Sequence, residues 1–193
     1  MNDTTPGTTP GASPAGANPQ DQQQGGREAP VTVHVQYLKD LSFESPNAPT
    51  ILTNTGQSPN LDIQLNVGAR PLQDRIYEVV LNLKVTAKQK TEQEERTAFM
   101  VELEYAGVVT VGQVVPDERV EQVLLIDCAA MLFPFARRAV ADTTREGGFP
   151  PVLINPVDFV QLYRQRKARE AAASGDGQEG NGASTGNGEN QQS

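Results

Sequence analysis

Tyr77-Glu78-Val79-Val80-Leu81-Asn82-Leu83-Lys84-Val85 and, farther along, Phe99-Met100-Val101-Glu102-Leu103-Glu104-Tyr105 are the stretches that decide the fold. In the first, Tyr77, Val79, Leu81, Leu83 and Val85 recur at every second position; in the second, Phe99, Val101, Leu103 and Tyr105 do so. A period of two belongs to a strand with one buried face, because successive side chains point to opposite sides. The wholly polar run from Lys88 to Arg96 between them predicts an antiparallel hairpin with a long solvated tip. The other face of the second stretch reads Ala98, Met100, Glu102, Glu104, and is predicted to be wet and acidic with Met100 as an exposed thioether.

Working outward toward the N-terminus, Val31, Val33, Val35 and Tyr37 alternate with Thr32, His34, Gln36 and Leu38, which predicts a half-buried strand ended by Lys39 and Asp40. Leu41 to Pro59 holds three prolines and reads as irregular chain that nevertheless carries Leu41, Phe43, Ile51 and Leu52. Leu61, Ile63, Leu65 and Val67 form another strand, with Gly68 to Asp74 as its turn. Toward the C-terminus strand signals stop at Pro116. From Asp117 to Arg145 the positions Val120, Val123, Leu124, Cys128, Met131, Leu132, Phe135, Ala136, Ala139 and Val140 trace one helical stripe. At about 1.5 Å per residue that helix is on the order of 40 Å long. Pro134 is predicted to kink it, and Gly147 and Gly148 to stop it. Asn155 as cap and Pro156 at the first helical position announce a second helix with Phe159, Leu162 and Tyr163 on its apolar side. Arg164, Arg166, Lys167 and Arg169 read as cations near its C-terminal end. The expected class is α+β: a four-stranded antiparallel sheet followed by one long and one short helix.

Composition divides the 193 residues into three parts. All ten aromatic residues fall between Val31 and Glu170, whereas residues 1–30 and 171–193 are Pro, Gly, Gln, Asn and Ser with little to bury. Such tails cannot offset the entropy of ordering their backbone and are expected to be disordered, leaving one domain over 31–170. The net charge of −8, with no basic cluster outside one helix end, argues against nucleic acid as a partner. A single Cys excludes an internal disulfide and fits a reducing compartment. Residues 1–30 lack an apolar signal region, and no run approaches the roughly 20 apolar residues of a membrane span. A soluble, cytoplasmic protein with no membrane insertion is expected.

Catalytic chemistry finds no support. A thiol–imidazole pair would have to be Cys128 with His34, but Cys128 falls on an apolar helix stripe and His34 mid-strand, so packing outweighs catalysis. One His and one Cys cannot supply a strong metal site, and no cofactor is expected. Glu102 and Glu104 on a wet face have nothing to separate their pKa values, and no phosphate- or dinucleotide-binding glycine motif occurs in the core. What remains in surplus is apolar surface. One part is the helix stripe with the strand face, through which Val101, Leu103, Tyr105, Leu124 and Cys128 are expected to pack against another subunit. The other is the proline-rich segment near the last helix, which reads either as a loop capping the core or as the wall of a groove.

These residues resemble the SecB family of bacterial protein-export chaperones. The resemblance rests on Tyr37-Leu38-Lys39-Asp40-Leu41-Ser42-Phe43-Glu44-Ser45-Pro46-Asn47-Ala48-Pro49, Tyr77-Glu78-Val79-Val80-Leu81 and Thr97-Ala98-Phe99. It continues through Leu132-Phe133-Pro134-Phe135-Ala136-Arg137, Phe149-Pro150-Pro151 and Asn155-Pro156-Val157-Asp158-Phe159. It implies a homotetramer, a dimer of dimers, that holds unfolded precursor proteins without nucleotide and passes them to the SecA motor. It implies client grooves at Tyr37, Leu41, Phe43, Ile51, Leu52, Ile63, Phe159 and Leu162. It also implies an acidic sheet face at Asp40, Glu44, Met100 and Glu102 that receives a basic, zinc-binding tail of SecA, the zinc belonging to that partner. The long hairpin tip, Ala106-Gly107 in place of a Gly-Gly, and the extended tails depart from the family pattern. Two other readings are a SecB-like chaperone dedicated to an antitoxin and an oligomeric protein that binds a small ligand.

Overall fold

The computed structural model describes residues 28–53, 59–90 and 94–175. Strands β1 (Val31–Glu44), β2 (Asn60–Gln73), β3 (Ile76–Lys90) and β4 (Glu95–Val111) form one antiparallel sheet in the order β1-β4-β3-β2. A single helical turn, α1 (Thr50–Thr53), follows β1. After β4, α2 (Asp117–Gln122), a π-helical segment (Val123–Cys128) and α3 (Ala129–Glu146) run on as one helix, and α4 (Phe159–Gly175) closes the described chain. The α+β class and the antiparallel four-stranded sheet are those expected from sequence.

The strands are longer than alternation predicts. Strand β1 does not end at Lys39 and Asp40 but runs to Glu44, because its pairing with β4 shifts between Val33 and Val35 and again between Leu38 and Asp40. Each shift inserts one residue and reverses the alternation, so Leu41 and Phe43 return to the face of Val31 and Val33. Likewise Gly68 to Asp74 is not a turn: β2 continues to Gln73, and Asp74-Arg75 makes the reversal. Pro71 is tolerated because β2 is an edge strand bonded only to β3. The polar tip is shorter than expected, since Lys88, Gln89 and Lys90 pair with Thr97, Arg96 and Glu95; residues 91–93 lie outside the described residues.

The core lies on one side of the sheet. Val79, Leu81, Leu83, Val85 and Ala87 of β3 and Phe99, Val101, Leu103, Val109 and Val111 of β4 are buried under Cys128, Leu132, Ala136 and Val140 of the long helix. Each such leucine, valine or phenylalanine contributes about 1.5–3 kcal/mol by leaving water. The helix comes close because Gly107 has no side chain; a Cβ there would stand 2.8 Å from Leu132 Cδ2. Pro134 lies inside α3 without ending it. The irregularity is the π-helical segment, where Val123, Leu124, Leu125, Ile126 and Cys128 are all buried. The wider turn shifts the phase of the stripe, so Met131 and Phe135 of the expected stripe are exposed while Ala129 and Phe133 are buried.

Helix α4 also differs from expectation. Asp158, not Asn155, caps it: its Oδ1 accepts the Gln161 N–H at 2.9 Å, and its backbone oxygen accepts that of Leu162 at 3.0 Å. The helix runs to Gly175, beyond the expected boundary at 170, so the basic residues sit along it rather than at its end. Arg166 donates to the Val67 carbonyl at 3.0 Å and Lys167 pairs with Glu121 at 2.8 Å, which ties α4 to β2 and α2. At the other end the Gly112 N–H reaches the Pro30 carbonyl and the Gln113 N–H reaches Glu28, so structure begins before Val31. The rest of the expected tails, 1–27 and 176–193, lies outside the described residues.

Candidate functional site

The sheet face turned away from the helix carries the charge. Register places Asp40 opposite Glu104, Ser42 opposite Glu102 and Glu44 opposite Met100. The four residues singled out as an acidic face, Asp40, Glu44, Met100 and Glu102, therefore share one surface, and Glu104 joins them. Lys84 on β3 meets Glu102 at 2.6 Å, and that carboxylate holds the Lys84 ammonium above its ordinary pKa. Asp40, Glu44 and Glu104 form no ion pair among the described residues. Two expectations for this face are corrected. Met100 is half-buried rather than exposed, and Ala98 is buried rather than wet. The cause at Ala98 is the chain after β1, where Ser45 Oγ donates to the Ala98 carbonyl and Asn47 Nδ2 to the Thr97 carbonyl, both at 2.8 Å.

Glu78, on the same face of β3, is only 2% exposed. Arg70, directly opposite on β2, and the Tyr37 hydroxyl both donate to its carboxylate, and Lys39 Nζ stands 3.3 and 3.4 Å from its two oxygens. The hydrogen bonds from Arg70 and Tyr37 outweigh burial and hold the carboxyl down to about 2. Tyr37 and Lys39 belong to β1, so they reach across β4, where the small Ala106 lies opposite Tyr37 and is fully buried. One carboxylate thus links β1, β3 and β2. Tyr37 is accordingly parted from the other predicted groove residues, which lie on or beside the helix-covered face.

Those residues divide between the two edges of the sheet. Phe43, Val101, Val85 and Ile63 form one cross-strand row, so Phe43 and Ile63 stand three strand spacings apart, about 14 Å. At the β1 edge the rings of Phe43, Phe99 and Phe149 cluster, with centroids 6.0, 4.7 and 6.4 Å apart. The Phe43 ring lies on Gly147, where a Cβ would come within 2.2 Å of it, and Leu52 lies against Gly148. Ile51 is buried, while Leu41 and Leu52 remain exposed. At the β2 edge Leu65, Val67, Leu125, Leu162 and Tyr163 line a cleft of about 290 Å³. Phe159 is buried beside it, its ring 5.8 Å from that of Phe133. Sequence reading missed Leu153, which is 65% exposed. The Val152 N–H donates to the buried Thr144 Oγ1 at 3.0 Å, which turns Val152 and Ile154 inward and Leu153 out. Alternation over three residues was the available signal.

Residues 22–170 match the family model described as preprotein translocase subunit SecB. The chain belongs to the SecB family. A protein-export protein SecB of Bradyrhizobium sp. is 49% identical over 145 residues, covering 75% of this chain and 86% of the relative. That of Granulibacter bethesdensis is 48% identical over 145 residues, covering 73% and 84%. A solved structure of a Mycobacterium tuberculosis SecB-like chaperone in complex with an antitoxin peptide shares the fold, with a TM-score of 0.54 and 14% identity, covering 66% of this chain and 90% of that one. The resemblance read from the motifs is thereby borne out. SecB proteins are protein-export chaperones and not enzymes.

Four of the five residues expected at a SecB subunit interface lie in the core of the single chain. Val101, Leu103, Leu124 and Cys128 are buried inside the single chain, so they have no surface left to offer a second copy. Burial, reinforced by Asp127, also pushes the Cys128 thiol up to about 12, consistent with packing rather than reactivity. Only Tyr105 of the five is partly open. Its ring lies parallel to that of Phe135 at 6.2 Å, and Phe135 is 49% exposed, with Met131 and Leu38 also exposed. Gln36 Oε1 and Arg137 Nε are buried without a hydrogen-bond partner among the described residues. His34 sits with Thr110 at 2.6 Å, on the sheet face opposite Cys128, so the two cannot form a pair. Among the described residues no group of three metal-ligating side chains occurs, and no helix is long and apolar enough to cross a membrane.

Proposed function

We propose that this chain is a cytoplasmic export chaperone that captures unfolded preproteins, keeps them competent for translocation and delivers them to SecA. It acts as a homotetramer and consumes no nucleotide. The observation that carries this reading is the separation of surfaces: apolar side chains left open along both edges of the helical layer, and carboxylates gathered on the opposite sheet face. Leu41, Leu52, Leu153 and Ile63 expose apolar area, with the Phe43–Phe99–Phe149 ring cluster at one sheet edge and a leucine-lined cleft at the other. An unfolded precursor presents apolar and aromatic side chains at irregular spacing, and gains roughly 25 cal/mol for each Å² it buries there. Several weak sites on one assembly raise avidity without requiring a single register. Folded proteins hide the same side chains and are passed over. The acidic face is free at the same time to receive a basic tail of SecA, which suits a handover in which client and motor are held together.

The antitoxin-dedicated reading draws only on a structure 14% identical, against relatives 48–49% identical that are export proteins. The test is capture of a urea-denatured precursor, followed by light scattering during dilution, with and without charge reversal at Asp40 and Glu102. Suppressed aggregation in both proteins, with SecA recruitment lost only in the charge-reversed one, is the expected result. A wild-type protein that leaves precursor aggregation unchanged overturns the proposal.

A further inference from the structure

Resting on the proposed acidic docking face, we propose that Glu78 is a positioning residue that masks Lys39, so that Asp40 and Glu104 are presented to a basic partner without an internal competitor. The second bulge of β1 creates the need. By inserting a residue between Leu38 and Asp40 it brings both Lys39 and Asp40 out on the strand face away from the helix, side by side. Lys39 and Glu104 moreover line the same cleft of about 260 Å³, together with Arg70, Glu78 and Asn82. An ammonium released here has its chain neighbour Asp40 and the cleft-lining Glu104 to turn to, and would neutralise the charge a basic partner seeks.

Glu78 removes that cation. A carboxylate that is 2% exposed must be compensated. Arg70, directly opposite in register, and the Tyr37 hydroxyl already bond to it. Lys39 is an addition beyond those two, within 3.3 and 3.4 Å of the carboxylate oxygens, and its ion pair is with Glu78 rather than with its own neighbour Asp40. Lys84 does not take over this role, because its ammonium is engaged by Glu102 at 2.6 Å. The outcome is a surface on which Asp40 and Glu104 have no ion-pair partner among the described residues.

The experiment measures binding of purified SecA to the full chain at low and high salt, with capture of a urea-denatured precursor as a parallel readout. Glu78→Gln is expected to bind SecA about threefold to tenfold more weakly at low salt, with the difference shrinking as salt rises. Client capture stays unchanged. The double variant Lys39→Met/Glu78→Gln recovers wild-type affinity, which a merely structural loss at Glu78 would not allow. Wild-type affinity in Glu78→Gln, or a double variant no better than the single one, overturns the mask. If circular dichroism finds Glu78→Gln unfolded, Lys39→Gln alone decides. A masked lysine can be removed with less than a twofold change, whereas several-fold tighter SecA binding means that Lys39 was competing all along and overturns the proposal. Asp40→Arg separates this from the docking reading. If it binds SecA as the wild type does, the docking face itself is wrong and the mask falls with it; if it loses binding while Glu78→Gln does not, only the mask falls.

Discussion

Glu78 pairs with Arg70, Tyr37 and Lys39 only while it is ionised, which makes the sheet sensitive to acid. Its carboxyl is held at about 2, below the ordinary 4.5. A depressed acid contributes stability that is fully present above about pH 4.5 and is lost as pH falls from there toward 2. The contribution is on the order of 2 kcal/mol, kept modest because Arg70 is 64% exposed and water screens it. Urea unfolding of the wild type and Glu78→Gln at pH 7, 4 and 2.5 checks this: the wild type is more stable at pH 7, and the gap narrows at pH 4 and further at pH 2.5, closing only below about pH 2. A gap that stays constant with pH would assign Glu78's effect to packing. In the sequence Glu78 is simply the polar member of an alternating strand. Its role depends on register across β1, β4, β3 and β2, which one chain segment does not carry.

At the scale of elements, what alternation made legible was the centre of each strand, and what it hid was where pairing changes. Val79 to Val85 and Phe99 to Leu103 face the core as their period requires, because neither run contains a bulge. The extension of β1 past Asp40 was illegible because two inserted residues reset the period, and Pro71 in β2 mimics a turn unless the strand is known to be an edge. The π-helical segment likewise rotates the helix stripe without any residue type that marks it. The reversal between β2 and β3 supports a prediction. Arg75 has φ 52°, a conformation that favours glycine, yet its side chain donates to the Val111, Gly112 and Val115 carbonyls at 2.6–2.8 Å and to Asp117 at 2.6 Å. Glycine there would relieve about 1 kcal/mol of backbone strain but leave three carbonyls of the β4–α2 connection without their donor, each worth about 1–1.5 kcal/mol. The lost bonds win. Arg75→Gly is therefore expected to lower stability by about 2 kcal/mol in equilibrium unfolding, and a stabilised variant would mean that strain outweighs the clamp.

For the whole molecule, the surface left over after folding is more telling than the core. The residues expected to join subunits were chosen from an apolar stripe, but the single chain consumes most of that stripe itself. What it leaves open is Leu38, Met131 and Phe135 around the half-open Tyr105. A second copy laid over this patch gains by taking those apolar side chains out of water, roughly 25 cal/mol for each Å² buried. If this patch holds the proposed tetramer together, Phe135→Asp places a charge at the joint and lowers the mass in light scattering from about 83 kDa, four times 20.8 kDa, toward that of one or two subunits. The ring cluster at Phe43 and the cleft at Leu162 are untouched by that change, so each subunit keeps its own affinity for a short apolar peptide. Only the linkage between sites is lost, and long denatured precursors are then held more weakly by tenfold or more while the peptide is not. A variant that dissociates yet still holds long precursors as tightly as the wild type would place the whole of client binding within one subunit.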